Sequence, residues 1–434
     1  MYKVGLYTLG CKVSSYETEA VGEAFERAGF AISDFSDVCD VYVINTCTVT
    51  AESDAKSRKY IRRAIRTNPD AVVIVMGCYS QRSPSEVADI DGVSAVIGTA
   101  DKLSAVDKAM ELLSAGERRK LVSVGDLLGE KFEDMKISRA PRTRGYVKIE
   151  DGCECKCTYC AIAAARGPVR SKRPEDVIDE IGALYRGGTR EIVLTGIETG
   201  SYGADFETGY DLADLLCELD RLCACDRIRL GSMAPELLSE KFITRVGRLP
   251  ILVPHFHISM QSGSTAVLRE MKRRYTRDMA LRNIRFIREY MPHVMLTADL
   301  MVGFPGESEE DFLETVSFVR EARLLDAHVF AYSRREGTPA AKRDDQVPDA
   351  VKRERSARLI AVKNAMRDEV LSEVVALGKP LKTVFETKKG NEYTGHSDSY
   401  IEVCSTYGCD IRGEIESVIP THHKNGILYG EIAK

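Results

Sequence analysis

Residues 146–160 read Tyr-Val-Lys-Ile-Glu-Asp-Gly-Cys-Glu-Cys-Lys-Cys-Thr-Tyr-Cys, and the fold can be read outward from this stretch. Its first five residues predict a short strand, and Cys153, Cys157 and Cys160 follow at a three-then-two spacing. A tight loop with that spacing turns three thiolates toward one point and leaves the fourth iron of a 4Fe-4S cube without a protein ligand, open to a cofactor. A zinc knuckle or a set of buried structural thiols is the competing reading. A loop at the C-terminal end of a barrel strand favours the cluster. Cys155 lies inside the motif and competes as a ligand, although the other three already close a site.

Downstream, apolar runs at 191–196, 228–232, 255–260, 295–302 and 327–333 alternate with helical stretches such as 174–185 and 309–321. With 146–150 they make roughly six β/α units, a partial barrel. Upstream, runs at 4–10, 41–46, 72–77 and 95–98 alternate with a helix at 16–28 stopped by Gly29, a basic helix, and a closing helix near 103–113. That pattern predicts an open parallel sheet. Charged residues from Glu117 to Arg144, including Arg139 and Arg142, read as a solvated connector. A charged helix at 349–371 ends the barrel. Short strands at 383–386, 400–404, 414–419 and 429–432, separated by Gly, Asn and Asp, predict a small all-β barrel. The expected fold class is therefore α/β, with domains at 1–115, 139–370 and 371–434 and a connector at 116–138.

At 434 residues with 44% hydrophobic content, the chain is too long for one core and folds as several domains. It shows neither a cleavable leader nor an apolar run of about 20 residues, so export and membrane spanning are not expected and the cytoplasm is. Thirteen cysteines in a long cytoplasmic chain point to metal binding or catalysis rather than disulfides. The net charge of −5 argues against indiscriminate nucleic-acid binding and leaves room for local basic patches.

A second set of cysteines is dispersed: Cys11, Cys47 and Cys78, each just after a predicted strand. Loops after the C-terminal ends of parallel strands gather at one edge, where three distant thiols can hold a second cluster. Unrelated buried cysteines remain the alternative. Cys39, Cys217, Cys223, Cys225, Cys404 and Cys409 read as ordinary core or surface residues. His255 and His257, flanking Phe256, read as barrel-lining residues rather than metal ligands.

These residues resemble the radical S-adenosylmethionine (SAM) methylthiotransferases, and within them the MtaB-like branch, over essentially the whole chain. The resemblance is carried by Thr8-Leu-Gly-Cys-Lys-Val13 with Tyr16-Glu-Thr-Glu19, Asn45-Thr-Cys-Thr-Val-Thr50 and Gly77-Cys78. Asp151-Gly-Cys153 through Cys160, Ala165-Arg-Gly167, His255-Phe-His257 and Gln261-Ser-Gly263 continue it. Arg273-Arg-Tyr275, Val302-Gly-Phe-Pro-Gly-Glu307, His328-Val-Phe330 and Gly337-Thr338 complete it. Ser14-Ser15, Ala163-Ala164, Glu198 and Ala234 depart from the family pattern, where Asn-Gln, Pro-Tyr, His and Glu are common.

The resemblance implies two 4Fe-4S clusters. Cys153, Cys157 and Cys160 would hold the one that binds SAM and yields a 5'-deoxyadenosyl radical. Cys11, Cys47 and Cys78 would hold the one that carries the sulfur. It implies Tyr159 beside the adenine of SAM, with Gly196, Glu198, Gln261 and Asp299 as SAM or substrate contacts, local packing being the alternative for each. The implied reaction adds a methylthio group to carbon 2 of N6-threonylcarbamoyladenosine at tRNA position 37, with a reductant and a sulfur donor as further partners. Sibling branches act on isopentenyl-adenosine or on an aspartate of a ribosomal protein. A noncatalytic, zinc-dependent RNA-binding protein and a radical enzyme of different sulfur insertion stand as other readings.

The C-terminal segment resembles a TRAM domain, an RNA-binding β-barrel, although residues 371–434 hold seven basic against nine acidic side chains. Lys388, Lys389, His422, His423 and Lys424 form a candidate positive edge with Tyr393 or Tyr400 to stack a base; a solvated face is the alternative. Lys56, Arg58, Lys59, Arg62, Arg63 and Arg66 on the basic helix, and Arg170, Lys172 and Arg173 after the cysteine loop, are candidate phosphate contacts. The target base must leave its stack to be reached.

Overall fold

The computed structural model describes residues 1–115 and 119–433, which form two compact units. The first comprises residues 1–137, 148–172 and 333–341, so it takes in the cysteine loop; the second comprises 138–147, 173–332 and 342–434.

The first unit is built on a six-stranded parallel sheet, in the order Ala31–Ser33, Lys3–Thr8, Val41–Thr46, Val72–Gly77, Ala95–Ile97, Leu121–Ser123. Every residue of Val41–Thr46 and Val72–Gly77 is buried, as expected for central parallel strands covered on both faces. The helix Lys12–Arg27 buries Val13, Tyr16, Ala20, Val21 and Phe25, a helical stripe. It begins a turn earlier than the sequence pattern predicts and makes Cys11 its N-cap. The basic helix is Ala51–Thr67, capped by the Thr50 side chain, with Glu52 and Asp54 in its first turn and Arg66 in its last, the arrangement that suits the helix dipole.

The expected solvated connector is corrected here. Leu121–Ser123 is the sixth strand of the sheet, and Leu127, Met135 and Ile137 are buried. Its apolar residues stand too far apart to show a period among the charges; its first residues, 116–118, lie outside the described residues.

In the second unit the barrel strands run in chain order: Arg144–Lys148, Glu191–Thr195 and Arg227–Leu230 in one sheet, then Ser232–Met233, His255–Gln261, Met295–Val302 and Asp326–Ala331 in another. Gly231 divides one strand between the two sheets, and a Cβ there would come within 2.6 Å of Thr199 Oγ1. Intervening helices carry firm starts: Pro174–Arg186 opens on proline, and Leu212–Arg221 and Glu309–Glu321 each have a complete capping box. After the long helix Asp349–Leu377, five strands close a barrel: Leu381–Lys389, Glu392–Ser397, Glu402–Thr406, Ile427–Ile432 and Ile415–Lys424. The strand Glu392–Ser397 is absent from the sequence reading, because its Glu-Tyr-Thr-Gly-His-Ser run is polar and Gly395 lies directly against Val384 O. Among the described residues no helix is long and apolar enough to cross a membrane.

Candidate functional site

The loop after the strand Glu150–Asp151 is shaped by Gly152, whose φ of +90° excludes other residues and whose missing Cβ leaves room for Pro168 O. The Cys153 N–H donates to Gly167 O at 3.0 Å, closing the loop on itself. Two backbone N–H groups point at sulfur, that of Cys155 at Cys153 Sγ (3.4 Å) and that of Ile162 at Cys160 Sγ (3.3 Å). Such donors favour the thiolate form that binds metal. Cys155 thus serves the loop through its backbone, between exposed Glu154 and Lys156; Tyr159 is half-buried in the next turn. No disulfide joins any of the thirteen cysteines.

The dispersed trio is carried by neighbouring strands of the first unit. Thr8 pairs with Asn45 and Thr46 with Gly77, so the chain leaves three neighbouring strands at one level just before Cys11, Cys47 and Cys78. Asn45 Nδ2 donates to Ser14 O at 3.0 Å, fastening the helix after Cys11 to the strand before Cys47. A Cβ on Gly10 would sit 3.3 Å from Cys47 Sγ. Burial, with added repulsion from Cys78 and Cys11, pushes the Cys47 thiol up to about 11.

Beneath both sets of cysteines lies a buried ion cluster that the sequence reading missed. Arg166, fully buried, donates from Nε to Cys78 Sγ (3.1 Å) and from Nη1 to Glu17 (2.5 Å) and Asp151 (3.2 Å). Lys148 reaches Glu17 at 2.9 Å and Asp151 at 2.6 Å, and Lys102 reaches Glu17 at 3.1 Å. Burial alone would raise Glu17, but Arg166, Lys102 and Lys148 hold it well below the usual carboxylate range. Asp151, likewise opposed by burial, is brought to about 2 by Arg166 and Lys148. Apart from this cluster, buried Arg335, in the segment carrying Gly337-Thr338, donates to Thr48 Oγ1 at 2.7 Å and Asp54 at 2.6 Å.

Two basic residues expected to grip phosphate are internal instead. Arg170 is 4% and Lys172 2% exposed; Lys172 donates to Met135 O at 2.7 Å and Arg170 to Arg166 O at 2.8 Å. Arg173 stays exposed, and on Ala51–Thr67 Lys56, Lys59, Arg62, Arg63 and Arg66 face solvent while Arg58 is held by Glu86 and Tyr79.

In the second unit, Gly196 turns the chain after Glu191–Thr195. Glu198, buried, accepts the Ala234 N–H at 3.1 Å. Both residues depart from the family pattern, and the contact places the Glu198 carboxylate beside the residue where that pattern carries one. Gln261 ends its strand at a φ of +65°, a strained conformation that marks functional sites when the fold enforces it. Asp299 faces two imidazoles, His257 Nε2 and His328 Nδ1, each at 3.2 Å, and despite burial they hold its carboxyl low. His257 also meets Thr297 Oγ1 at 2.8 Å, and with Asp299 and His328 it brings ligand atoms within 4.8 Å of one another, a group able to hold a metal ion where the sequence reads only a barrel-lining residue.

On the C-terminal barrel the expected stacking tyrosines are corrected. Tyr393 is buried, and Tyr400 is sandwiched between His255 (4.5 Å) and His396 (5.0 Å). His422, exposed, stacks on Tyr429 at 4.8 Å with 8° between planes, beside exposed Lys424.

Residues 147–319 match the model of the radical SAM superfamily and residues 3–98 that of "Uncharacterized protein family UPF0004". The threonylcarbamoyladenosine tRNA methylthiotransferase MtaB of Bacillus subtilis is 42% identical over 96% of this chain and 93% of its own. The tRNA-2-methylthio-N(6)-dimethylallyladenosine synthase of Desulfitobacterium hafniense is 32% identical over 99% and 97%. The radical SAM methyltransferase TsrM of Kitasatospora setae shares the fold, with a TM-score of 0.58 at 16% identity over 78% of this chain and 74% of that one. With its cysteines placed as described and 42% identity end to end, the chain belongs to the radical SAM methylthiotransferases, on their MtaB-like branch.

Proposed function

We propose that this enzyme adds a methylthio group to carbon 2 of N6-threonylcarbamoyladenosine at tRNA position 37. The observation that carries the reading is the gathering of Cys11, Cys47 and Cys78 in the same compact unit as Cys153, Cys157 and Cys160. The substrate assignment follows the B. subtilis relative, matched over nearly its whole length, ahead of the sibling acting on dimethylallyladenosine.

The residues suit anionic clusters. In the buried ion cluster four cations, Arg166, Lys148, Lys102 and Arg170, face the carboxylates of Glu17 and Asp151, with Glu133, which burial pushes toward its neutral form, 4.0 Å from Lys102. Nε and Nη1 of buried Arg170 have no hydrogen-bond partner among the described residues. Buried charge needs a counter-charge, and thiolates carrying a metal cluster supply it. In our reading Cys153, Cys157 and Cys160 hold a 4Fe-4S cluster with SAM, and Cys11, Cys47 and Cys78 a second one. When bound, these groups supply the one-electron chemistry that removes a hydrogen no general base can take and the sulfur that replaces it. The chain's own work is positional: Gly152 and Gly167 set the loop, Tyr159 borders SAM, and Gly196, Glu198, Gln261 and Asp299 line the barrel side. The exposed basic residues of Ala51–Thr67 hold the tRNA backbone. A first domain that starts at residue 1 and runs past 115 to take in Leu121–Ser123, domains at 139–370 and 371–434, a reductant, a sulfur donor and a cytoplasmic location complete the proposal.

The test is product analysis after anaerobic reconstitution with reductant, SAM, sulfide and defined tRNAs. Methylthio-threonylcarbamoyladenosine is expected; a methylthiolated dimethylallyladenosine instead would move the chain to the sibling branch. Iron and sulfide content separates this reading from a zinc-dependent RNA-binding protein, which would contain neither.

A further inference from the structure

We propose that Arg166 is a positioning residue for the second cluster: it fixes the Cys78 sulfur by a charge-assisted hydrogen bond and couples that ligand to the carboxylate preceding the radical-generating loop. The inference rests on the assignment of Cys11, Cys47 and Cys78 to a cluster and adds a role that the cysteines alone do not predict.

The geometry is specific to a guanidinium. Its planar fork presents donors in fixed directions. Nη1 is committed to Glu17 (2.5 Å) and to both oxygens of Asp151 (3.3 and 3.2 Å), while Nη2 reaches Glu17 Oε2 at 3.3 Å. With that edge clamped by two carboxylates, Nε cannot rotate away and is held 3.1 Å from Cys78 Sγ. The same residue belongs to the loop that follows Cys160. It ends the short helix Ile162–Arg166, and the next residue, Gly167, accepts the Cys153 N–H. Asp151 lies two residues before Cys153. A continuous path of contacts therefore runs from Cys78 through Arg166 to Asp151 and the first loop, all inside one compact unit.

The charges around Arg166 sharpen the argument. Glu17 and Asp151 are already shared with Lys148, and Glu17 also with Lys102, so Arg166 is not needed to neutralise them. Glu133, 4.0 Å from Lys102, is pushed by burial toward its neutral form and adds little negative charge. The group left to balance the guanidinium is the one Nε touches, the Cys78 sulfur. A hydrogen bond and a positive charge at a cluster sulfur favour the reduced, more negative state and raise its reduction potential.

The experiment uses the full-length, anaerobically reconstituted protein in which Cys153, Cys157 and Cys160 are replaced by alanine, so that one cluster is observed. Its reduction potential is followed by EPR-monitored titration with and without R166M and R166K. The expected result is a cluster harder to reduce in R166M by about tenfold in the one-electron equilibrium, 59 mV. R166K, which keeps charge but loses the fork, should fall between. Retained iron with an unchanged potential in R166M would overturn the proposal. If R166M does not load iron, R166K decides: an unchanged potential there also overturns it. A parent protein that binds no cluster on the remaining trio would refute the underlying assignment instead, a separate outcome.

Discussion

Replacing Glu191 by glutamine tests how the C-terminal barrel is held. The Glu191 side chain is fully buried and receives Arg227 at 2.5 Å and Arg229 at 2.8 Å. These two arginines then donate to four backbone carbonyls of the C-terminal module: Lys382 O, His396 O, Ser397 O and Asp398 O, at 3.0 to 3.2 Å. One carboxylate thus orients the whole set of anchors. Burial opposes its charge, but Arg229 and Arg227 bring it to about 2, roughly two units below its ordinary value, which corresponds to about 3 kcal/mol. Removing one partner of a buried ion pair costs about 3–5 kcal/mol, so the two routes agree near 3. At about 1.4 kcal/mol per factor of ten, the population with this module undocked should rise by about 100-fold. Limited proteolysis at Tyr400 reads that population when opening is fast relative to cleavage. The sign with pH is fixed. A depressed carboxylate contributes stability that is complete above about 4.3 and is lost as pH falls toward about 2, so the wild type should become more susceptible across that window and E191Q should not. A cleavage rate in E191Q within about threefold of wild type would show that Glu191 does not anchor the barrel.

G152A places a Cβ against Pro168 O at a φ of +90°, so the loop must shift; iron bound by Cys153, Cys157 and Cys160 should fall by more than half while the thermal transition moves little, and full iron loading would count against the loop geometry. Alanine at Cys11, Cys47 or Cys78 should leave reductive SAM cleavage intact and abolish methylthiolation, and equal loss of both would contradict divided roles. The pair R62A/R63A, on the exposed face of Ala51–Thr67, should weaken tRNA binding and flatten its salt dependence by about two phosphate contacts, whereas an unchanged slope would remove that helix from the RNA interface.

The strand ends before the cysteines were legible because their apolar runs stand out, and parallel topology brings the loops after such strands to one edge. The ion cluster beneath them was not. Glu17 lies on a helix whose sequence reads as amphipathic, Arg166 stands in the Ala165-Arg-Gly167 motif, and Arg170 and Lys172 read as phosphate contacts. Nothing in their spacing shows that Lys148, Lys102 and Glu17, each some distance away in the chain, converge on Arg166. Pairing across long sequence separation is what a single sequence hides. The same applies to His328, which meets His257 only because their strands flank Met295–Val302. The sixth strand at Leu121–Ser123 was hidden because a short edge strand carries too few apolar residues to show a period, and Glu392–Ser397 because its run is polar.

The internal placement of Arg170 and Lys172 changes the electrostatic argument for RNA. Among the described residues burial takes up ten basic and nine acidic side chains, so it does not remove the acidic excess of the chain. A protein with that surface gains no affinity from diffuse attraction to phosphate. Its contact with tRNA must rest on a few concentrated groups, and the exposed face of Ala51–Thr67 is such a place, with Lys59, Arg62, Arg63 and Arg66 within two turns of helix. That helix begins four residues after Cys47, so the phosphate grip and the proposed sulfur-carrying cluster are set by the same strand end. In our proposal, productive binding brings tRNA backbone to this helix, which lies in the same unit as the cysteines.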